Sequence, residues 1–410
     1  MRSYLVLVAV GLAAPHLASG DSSGPPVTAL SFTDALGGVA ALPDLVGASA
    51  AATATSRLTL PLPWAPVVVT VTPSLRISPS EQRGLEGGVA IQQAIPLDDV
   101  AGARREHLRG VADQRAAEAA ALALDARLAA AAAWIDAWEA RARLDIAERD
   151  LALARSIGEV TQRGVAAGAF TQPELADARA FVAEAVVRAT DAEGAVAETS
   201  FALAATTGRP GRATAEGVLP SPAVPDAAAW PSLVERARGL PAVTARRLAA
   251  RAARGRALED HRARGHQLIV GGELLRDGPG AASVIATIGL ALPHDRGERE
   301  AGLAHAEALM AEGQAETLAA RAAVELCRAL HDVEHTGSVL TLLERDLVPA
   351  ADDAATRRKR AFELGETTLV ELLAAQRTAL AAHARVASAR ARHAWARVHA
   401  WLLLQTAEVA

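Results

Sequence analysis

The period of apolar and polar positions changes several times along this chain, and the changes come in the same order twice. Val67, Val69, Val71, Leu75 and Ile77 alternate with a mostly polar set, Val68, Thr70, Thr72, Ser74, Arg76 and Ser78. That two-residue period predicts a strand with one apolar face. Val89, Ile91 and Ile95 mark a partner run on the same logic. Further on, Leu268, Val270 and Leu274 are followed by Val284, Ala286, Ile288, Leu290 and Leu292, with Asp277-Gly278-Pro279-Gly280 as the turn between them. The expected strands cover about 66–78, 87–97, 266–276 and 283–293. After Pro96 and Pro293, the two strand-to-helix exits, the pattern becomes helical. Leu124, Leu128, Ala131, Ile135, Trp138 and Ala142 follow heptad-like spacing, a coiled-coil seam built with small residues. A helix of about 60 residues at about 1.5 Å each reaches roughly 90 Å before Gly168 or Gly365 reverses it. The long helical hairpins therefore span about 98–207 and 297–406.

Matches at a nearly constant offset show that this order is a duplication. Leu42-Pro43-Asp44-Leu45 recurs as Leu240-Pro241-Ala242-Val243, and Ile95-Pro96-Leu97-Asp98 as Leu292-Pro293-His294-Asp295. Glu148-Arg149-Asp150-Leu151 recurs identically as Glu344-Arg345-Asp346-Leu347. Gly168, Thr171, Glu174, Leu175 and Ala178 recur as Gly365, Thr368, Glu371, Leu372 and Ala375, at an offset of 197. The first repeat runs over 21–207 and the second over 231–410, joined by a Pro/Gly-rich linker over 208–230. A helix opens each copy, from Pro241 to about Arg262 in the second; Ser, Thr and Pro61, Pro63 and Pro66 weaken it in the first. Pro73 inside a strand is acceptable only at an edge or bulge.

Composition narrows the function. Of 410 residues, 51% are hydrophobic but only 3% aromatic, so the apolar content is mostly Ala, Leu and Val, which suits helices packed closely through small side chains. The single cysteine, Cys327, excludes an intrachain disulfide and a CxxC motif. Acidic and basic residues are interleaved, with a net charge of −5, so no basic domain invites nucleic acid. Arg2, the apolar run Tyr4 to Ala14 and the small residues Ala18-Ser19-Gly20 read as a cleaved secretory signal over 1–20, with no following Cys to carry a lipid anchor. No later stretch of about 20 apolar residues could cross a bilayer as a helix. Membrane residence would have to be by strands, and four strands are too few to close a barrel, which starts at about eight.

The order helix, hairpin, long helical hairpin, twice over, with the tip pattern G-x-x-T-x-x-E-L-x-x-A in both copies and the exit Pro293-His294-Asp295-Arg296-Gly297, resembles the TolC-like outer membrane efflux proteins. Among them it is most similar to the cobalt/zinc/cadmium cation-efflux (CzcC) type. The resemblance implies a mainly α fold with a small β part: a homotrimer whose 12-stranded outer-membrane β-barrel continues as a periplasmic α-helical barrel. It implies a passive channel, not an enzyme and without a cofactor, that works with a periplasmic adaptor and an inner-membrane pump and is embedded in outer-membrane lipid. It implies that the tips at Gly168, Thr171, Gly365 and Thr368 are where the adaptor docks. It also implies an acidic ring at the periplasmic aperture, with Glu371, Glu174 and Asp177 as candidates and Ala374 where a second acid would follow Glu371. A carboxylate repeated about a threefold axis attracts cations, whereas the same acids also suit the first turn of any helix. Arg357, Arg358, Lys359 and Arg360 form either an adaptor-facing run or a solvated face.

Two other readings compete. His331-Asp332-Val333-Glu334-His335 has the H-x-x-E-H spacing of inverted zinc peptidases, with His331 and His335 as ligands and Glu334 as base. It lies within a long helix and lacks a third ligand and a cleft. A soluble periplasmic coiled-coil protein would explain the helices but not four alternating strands at a fixed offset.

Overall fold

The computed structural model describes residues 27–58, 67–76, 84–225, 232, 235–276, 282–292 and 298–409. The expected signal at 1–20, the turn at 277–280, the exit at 293–297 and the linker beyond 225 lie outside the described residues.

Both repeats fold as helix, β-hairpin and long helical hairpin. The opening helices, α2 (Pro43–Arg57) and later α5 (Pro241–Ala263), each place proline at the first helical position, where its missing N–H costs nothing. Although weak by propensity, α2 forms: Leu45 packs with Val39 of the preceding 3-10 turn (Val39–Ala41) and with Ala130. Its hydroxyls donate back along the helix, Thr53 to Ser49 O at 2.9 Å and Thr55 to Ala51 O at 2.8 Å.

The strands are β2 (Val68–Arg76) and β3 (Gly84–Pro96) in the first copy, β5 (Gln267–Arg276) and β6 (Ala282–Ala291) in the second. They form one antiparallel sheet in the order β2-β3-β5-β6. The register aligns Val71 with Val89, Val89 with Leu274, and Leu274 with Val284; further along, Val270 pairs with Ile288. The alternating apolar residues of all four strands therefore share one face, as their period requires. That face is uncovered: Val71 is 67% exposed, Val284 and Ile288 79%. Pro73, opposite Gly87, sits on the edge strand β2, where a missing donor is tolerated.

From the sheet the chain enters α3 (Val100–Ala166), 67 residues and about 100 Å long. It returns as α4 (Gln172–Thr206). The second copy descends as α6 (Glu298–Leu342) and α7 (Val348–Glu363) and returns as α8 (Leu369–Val409). Near the sheet α3 packs between α2 and α5, and farther away it packs on α4 and α8. Four ion pairs bridge α5 to α6 in antiparallel order: Arg264–Glu300 (3.0 Å), Arg256–Glu307 (3.7 Å), Arg254–Glu312 and Arg247–Glu316 (3.3 Å). Such exposed pairs align the helices more than they stabilise them.

Two features add detail to the expected plan. The second descending helix carries a bulge: residues Leu343–Leu347 form a π-turn, with the Val348 N–H reaching Leu343 O. Pro349 explains it, because proline has no N–H and its ring clashes with the carbonyl four residues back; the extra residue relieves both. The first copy has no proline there and stays α-helical. The linker, in turn, is partly structured. Its Arg212–Ala215 forms β4, paired in parallel with β1 (Val27–Leu30). Four-residue strands among glycines and prolines carry no readable alternation. A short helix α1 (Phe32–Gly38) follows β1, capped by the Ser31 side chain, and this layer lies on α3.

Candidate functional site

The hairpin tips are where the two copies agree most closely in sequence, and the structure shows what each shared position of the duplication does. At the first tip the Gly168 N–H bonds to Val165 O (3.0 Å) and the Ala169 N–H to Gly164 O (2.8 Å). At the second, Gly365 bonds to Phe362 O (3.0 Å) and Glu366 to Ala361 O (2.8 Å). Both are Schellman motifs, which require a left-handed residue; Gly168 has φ 76° and Gly365 φ 74°. Thr171 and Thr368 then cap the returning helices. The Thr171 N–H donates to Glu174 Oε2 (2.7 Å) and the Glu174 N–H to Thr171 Oγ1 (3.4 Å), a reciprocal capping box. The second tip repeats it at 3.5 and 3.3 Å with Thr368 and Glu371. Leu175, Ala178 and Leu372 turn into the core. The shared pattern G-x-x-T-x-x-E-L-x-x-A is thus a complete recipe for a helix stop, a reversal and a restart.

The two tips differ chemically. In the first, Phe170 stacks on Phe362 of α7 with ring centroids 5.5 Å apart and planes 3° from parallel, joining the hairpins. Gly164 makes this possible, since a Cβ there would fall inside the Phe170 ring. In the second, Thr367 occupies the matching place and its hydroxyl donates to Glu371, which also pairs with Arg358 at 3.3 Å. Of the basic run, Arg357 pairs with Asp353 at 2.8 Å and Arg358 with Glu371. Asp177 is exposed one turn beyond Glu174. Behind the tips Phe181, Ala185, Leu369, Leu372 and Leu373 form a core shared by both hairpins. An ionic chain crosses it: Asp150–Arg188 (2.6 Å), Arg188–Glu184 (3.7 Å) and Glu184–Arg377 (2.7 Å).

The tip carboxyls are held below the usual carboxylate range. For Glu174 the main cause is the Thr171 N–H, then its hydroxyl; for Glu371 it is the Thr367 hydroxyl, then the Thr368 N–H and Arg358. A depressed folded value means the cap contributes fully above the ordinary value of 4.5 and loses its contribution as pH falls through the lower folded one. Tip amide protection, corrected for intrinsic exchange, should hold from pH 7 to 5 and decline below 4.5. The paired substitution Thr171→Ala and Thr368→Ala should lower protection already at pH 7. Unchanged protection would mean the caps do not hold the tips.

His331 and His335 stack at 6.0 Å on α6. Among the described residues no group of three or more His, Cys, Asp or Glu is placed to hold a metal ion. Sequence reasoning overlooked the Phe170–Phe362 stack and the Arg358–Glu371 pair. Gly164, two turns before a lone aromatic, was the available signal for the first; the second joins residues on different helices and has no local signature.

No family model and no curated protein matches this sequence. Solved structures do. The chain is similar to CusC, with TM-score 0.76 and 14% identity over 91% of each chain. It is similar to VceC of Vibrio cholerae, with TM-score 0.72 and 16% identity over 91% of this chain and 95% of that one. A third likeness is to the MtrE outer membrane channel of Neisseria gonorrhoeae in its open state, with TM-score 0.71 and 15% identity over 91% and 88%. The chain has the fold of these outer membrane proteins across nearly all its length.

Proposed function

We propose that this chain is one protomer of a homotrimeric outer membrane channel in a Gram-negative tripartite efflux system, passively conducting substrate delivered by an inner-membrane pump and a periplasmic adaptor. It is not an enzyme on this reading, and the cargo is either heavy-metal cations or small toxic compounds. The observation that carries it is the sheet: an uncovered apolar face on four strands whose edges, β2 and β6, have no further strand beside them among the described residues. Such a sheet is unstable in water and in lipid until neighbouring copies close it.

The helices beneath support the same closure. On α4, the small or apolar residues Ala183, Val187, Gly194, Ala197 and Phe201, together with Thr190, follow heptad a/d spacing. They face away from the chain's own core, with Val187 58% and Phe201 47% exposed. On α6, Leu303, Met310 and Val324 fall on one heptad stripe, 60%, 62% and 69% exposed. These exposed seams suit a second and third copy of the chain.

The tips would meet the adaptor, and Glu371, Glu174 and Asp177 would line the aperture. The test is fractionation with outer membranes, a heat-labile trimer on gels and conductance in planar bilayers. Glu371→Gln should move the cation-to-anion permeability ratio toward unity. A monomer confined to the soluble periplasmic fraction would instead support a soluble coiled-coil protein.

A further inference from the structure

Between the two hairpins, above the ionic chain, lies a groove of about 860 Å³ to which α3, α4, α6 and α8 all contribute. That volume is within the range of small-molecule sites. Its lining is mostly apolar, with Ile146, Val339, Leu343 and Leu380 as the large side chains. Four guanidiniums face it. Two are satisfied: Arg143 by Glu139 (2.8 Å) and the Ser388 hydroxyl (2.7 Å), Arg188 by Asp150 (2.6 Å). The other two, Arg385 and Arg392, have no ion pair or hydrogen bond among the described residues. They stand seven residues apart on α8, two turns or about 10 Å, one at each end of the Ser388–Ala389 stretch that lines the groove. One carboxylate, Asp191, lines the groove against them. Two unneutralised cations facing one anion leave a single positive charge unmatched over an apolar surface.

We propose that this groove binds an amphipathic monoanion, a ligand with an apolar body and one sulfonate, carboxylate or phosphodiester head. The body lies along Ile146, Val339, Leu343 and Leu380, and the head bonds to Arg385 or Arg392, whose planar donors suit such oxyanions. The site does not depend on the chain's being a channel. It also survives self-association through α4, because Arg188, Asp191, Ala192 and Ala195 line the groove while Val187, Thr190 and Gly194 belong to the free seam.

The test is calorimetric titration of the full-length protein in dodecyl maltoside with naphthalene-2-sulfonate, against its cationic counterpart 2-naphthylmethylammonium. Saturable binding of one sulfonate per chain is expected, with the cation at least tenfold weaker. R385Q/R392Q, which removes two side chains without partners, should weaken the sulfonate at least tenfold, about 1.4 kcal/mol, without changing the melting temperature. Ala384→Trp, which fills the groove and leaves both arginines, should abolish binding. Equal affinity for anion and cation, undiminished affinity in either variant, or no saturable binding by millimolar ligand overturns the proposal.

Discussion

Trp134→Ala is expected to be the most destabilising single substitution in the helical body, by about 3–5 kcal/mol. Trp134 is fully buried at the level of the β1–β4 pair, meets Phe32 edge-on at 5.5 Å, and donates its indole N–H to Leu30 O at 2.8 Å. Removing it empties the centre of the main core, where Leu203, Leu326, Leu330, Val398 and Leu402 converge from helices of both repeats. The Leu30 carbonyl still accepts from the Glu216 N–H at 2.9 Å, so the loss is chiefly the cavity and one hydrogen bond. Denaturant unfolding of the purified protein should show the shift, with faster proteolysis near β1 and α1. Trp134→Phe should recover more than half of it. A loss below about 1 kcal/mol for the alanine variant would place the structural centre elsewhere.

Gly255→Ala is the second, and its sign is the informative part. By helix propensity alone, alanine inside α5 should stabilise by up to about 1 kcal/mol. In the structure a Cβ at Gly255 would lie 2.8 Å from His107 Cα on α3, and one at Gly110 would lie 3.0 Å from Ala252 Cα on α5. Backbone meets backbone here, so nothing flexible can yield, and the helices must separate. A net loss of about 1–3 kcal/mol is expected. Gly302→Ala provides the contrast, since nothing lies within 4 Å of its Cβ and propensity should win. A difference in melting temperature of opposite sign between the two variants is the readout. A stabilised Gly255→Ala would mean that α3 and α5 are not in close contact.

Long helices crossing through glycine explain how a chain with 3% aromatic residues holds together. Most of its core positions are alanines that bring backbones near, and the few large side chains are concentrated where the layer carrying β1 and β4 meets α3. The aromatic shortage is therefore no obstacle in the helical body. It matters only in the sheet, whose apolar face is Val, Ile and Leu.

Whatever depends on neighbours along the chain was legible in the sequence. The alternating residues of four strands, the proline starts of α2 and α5, and the turn chemistry at Gly168 and Gly365 follow from steric and hydrogen-bonding rules acting over a few residues. The duplication doubled each signal. Pro349 belonged to the same class, and its π-turn could have been anticipated from its missing N–H. What only the tertiary structure decided was which distant groups meet: β1 with β4 across 185 residues of sequence, Phe170 with Phe362, Arg358 with Glu371, and four arginines around one groove. A single exposed arginine looks alike in sequence whether it is paired or not. Its partner depends on the azimuth and height of helices about 100 Å long, set by contacts as small as Gly255 against His107, and no local pattern encodes that geometry.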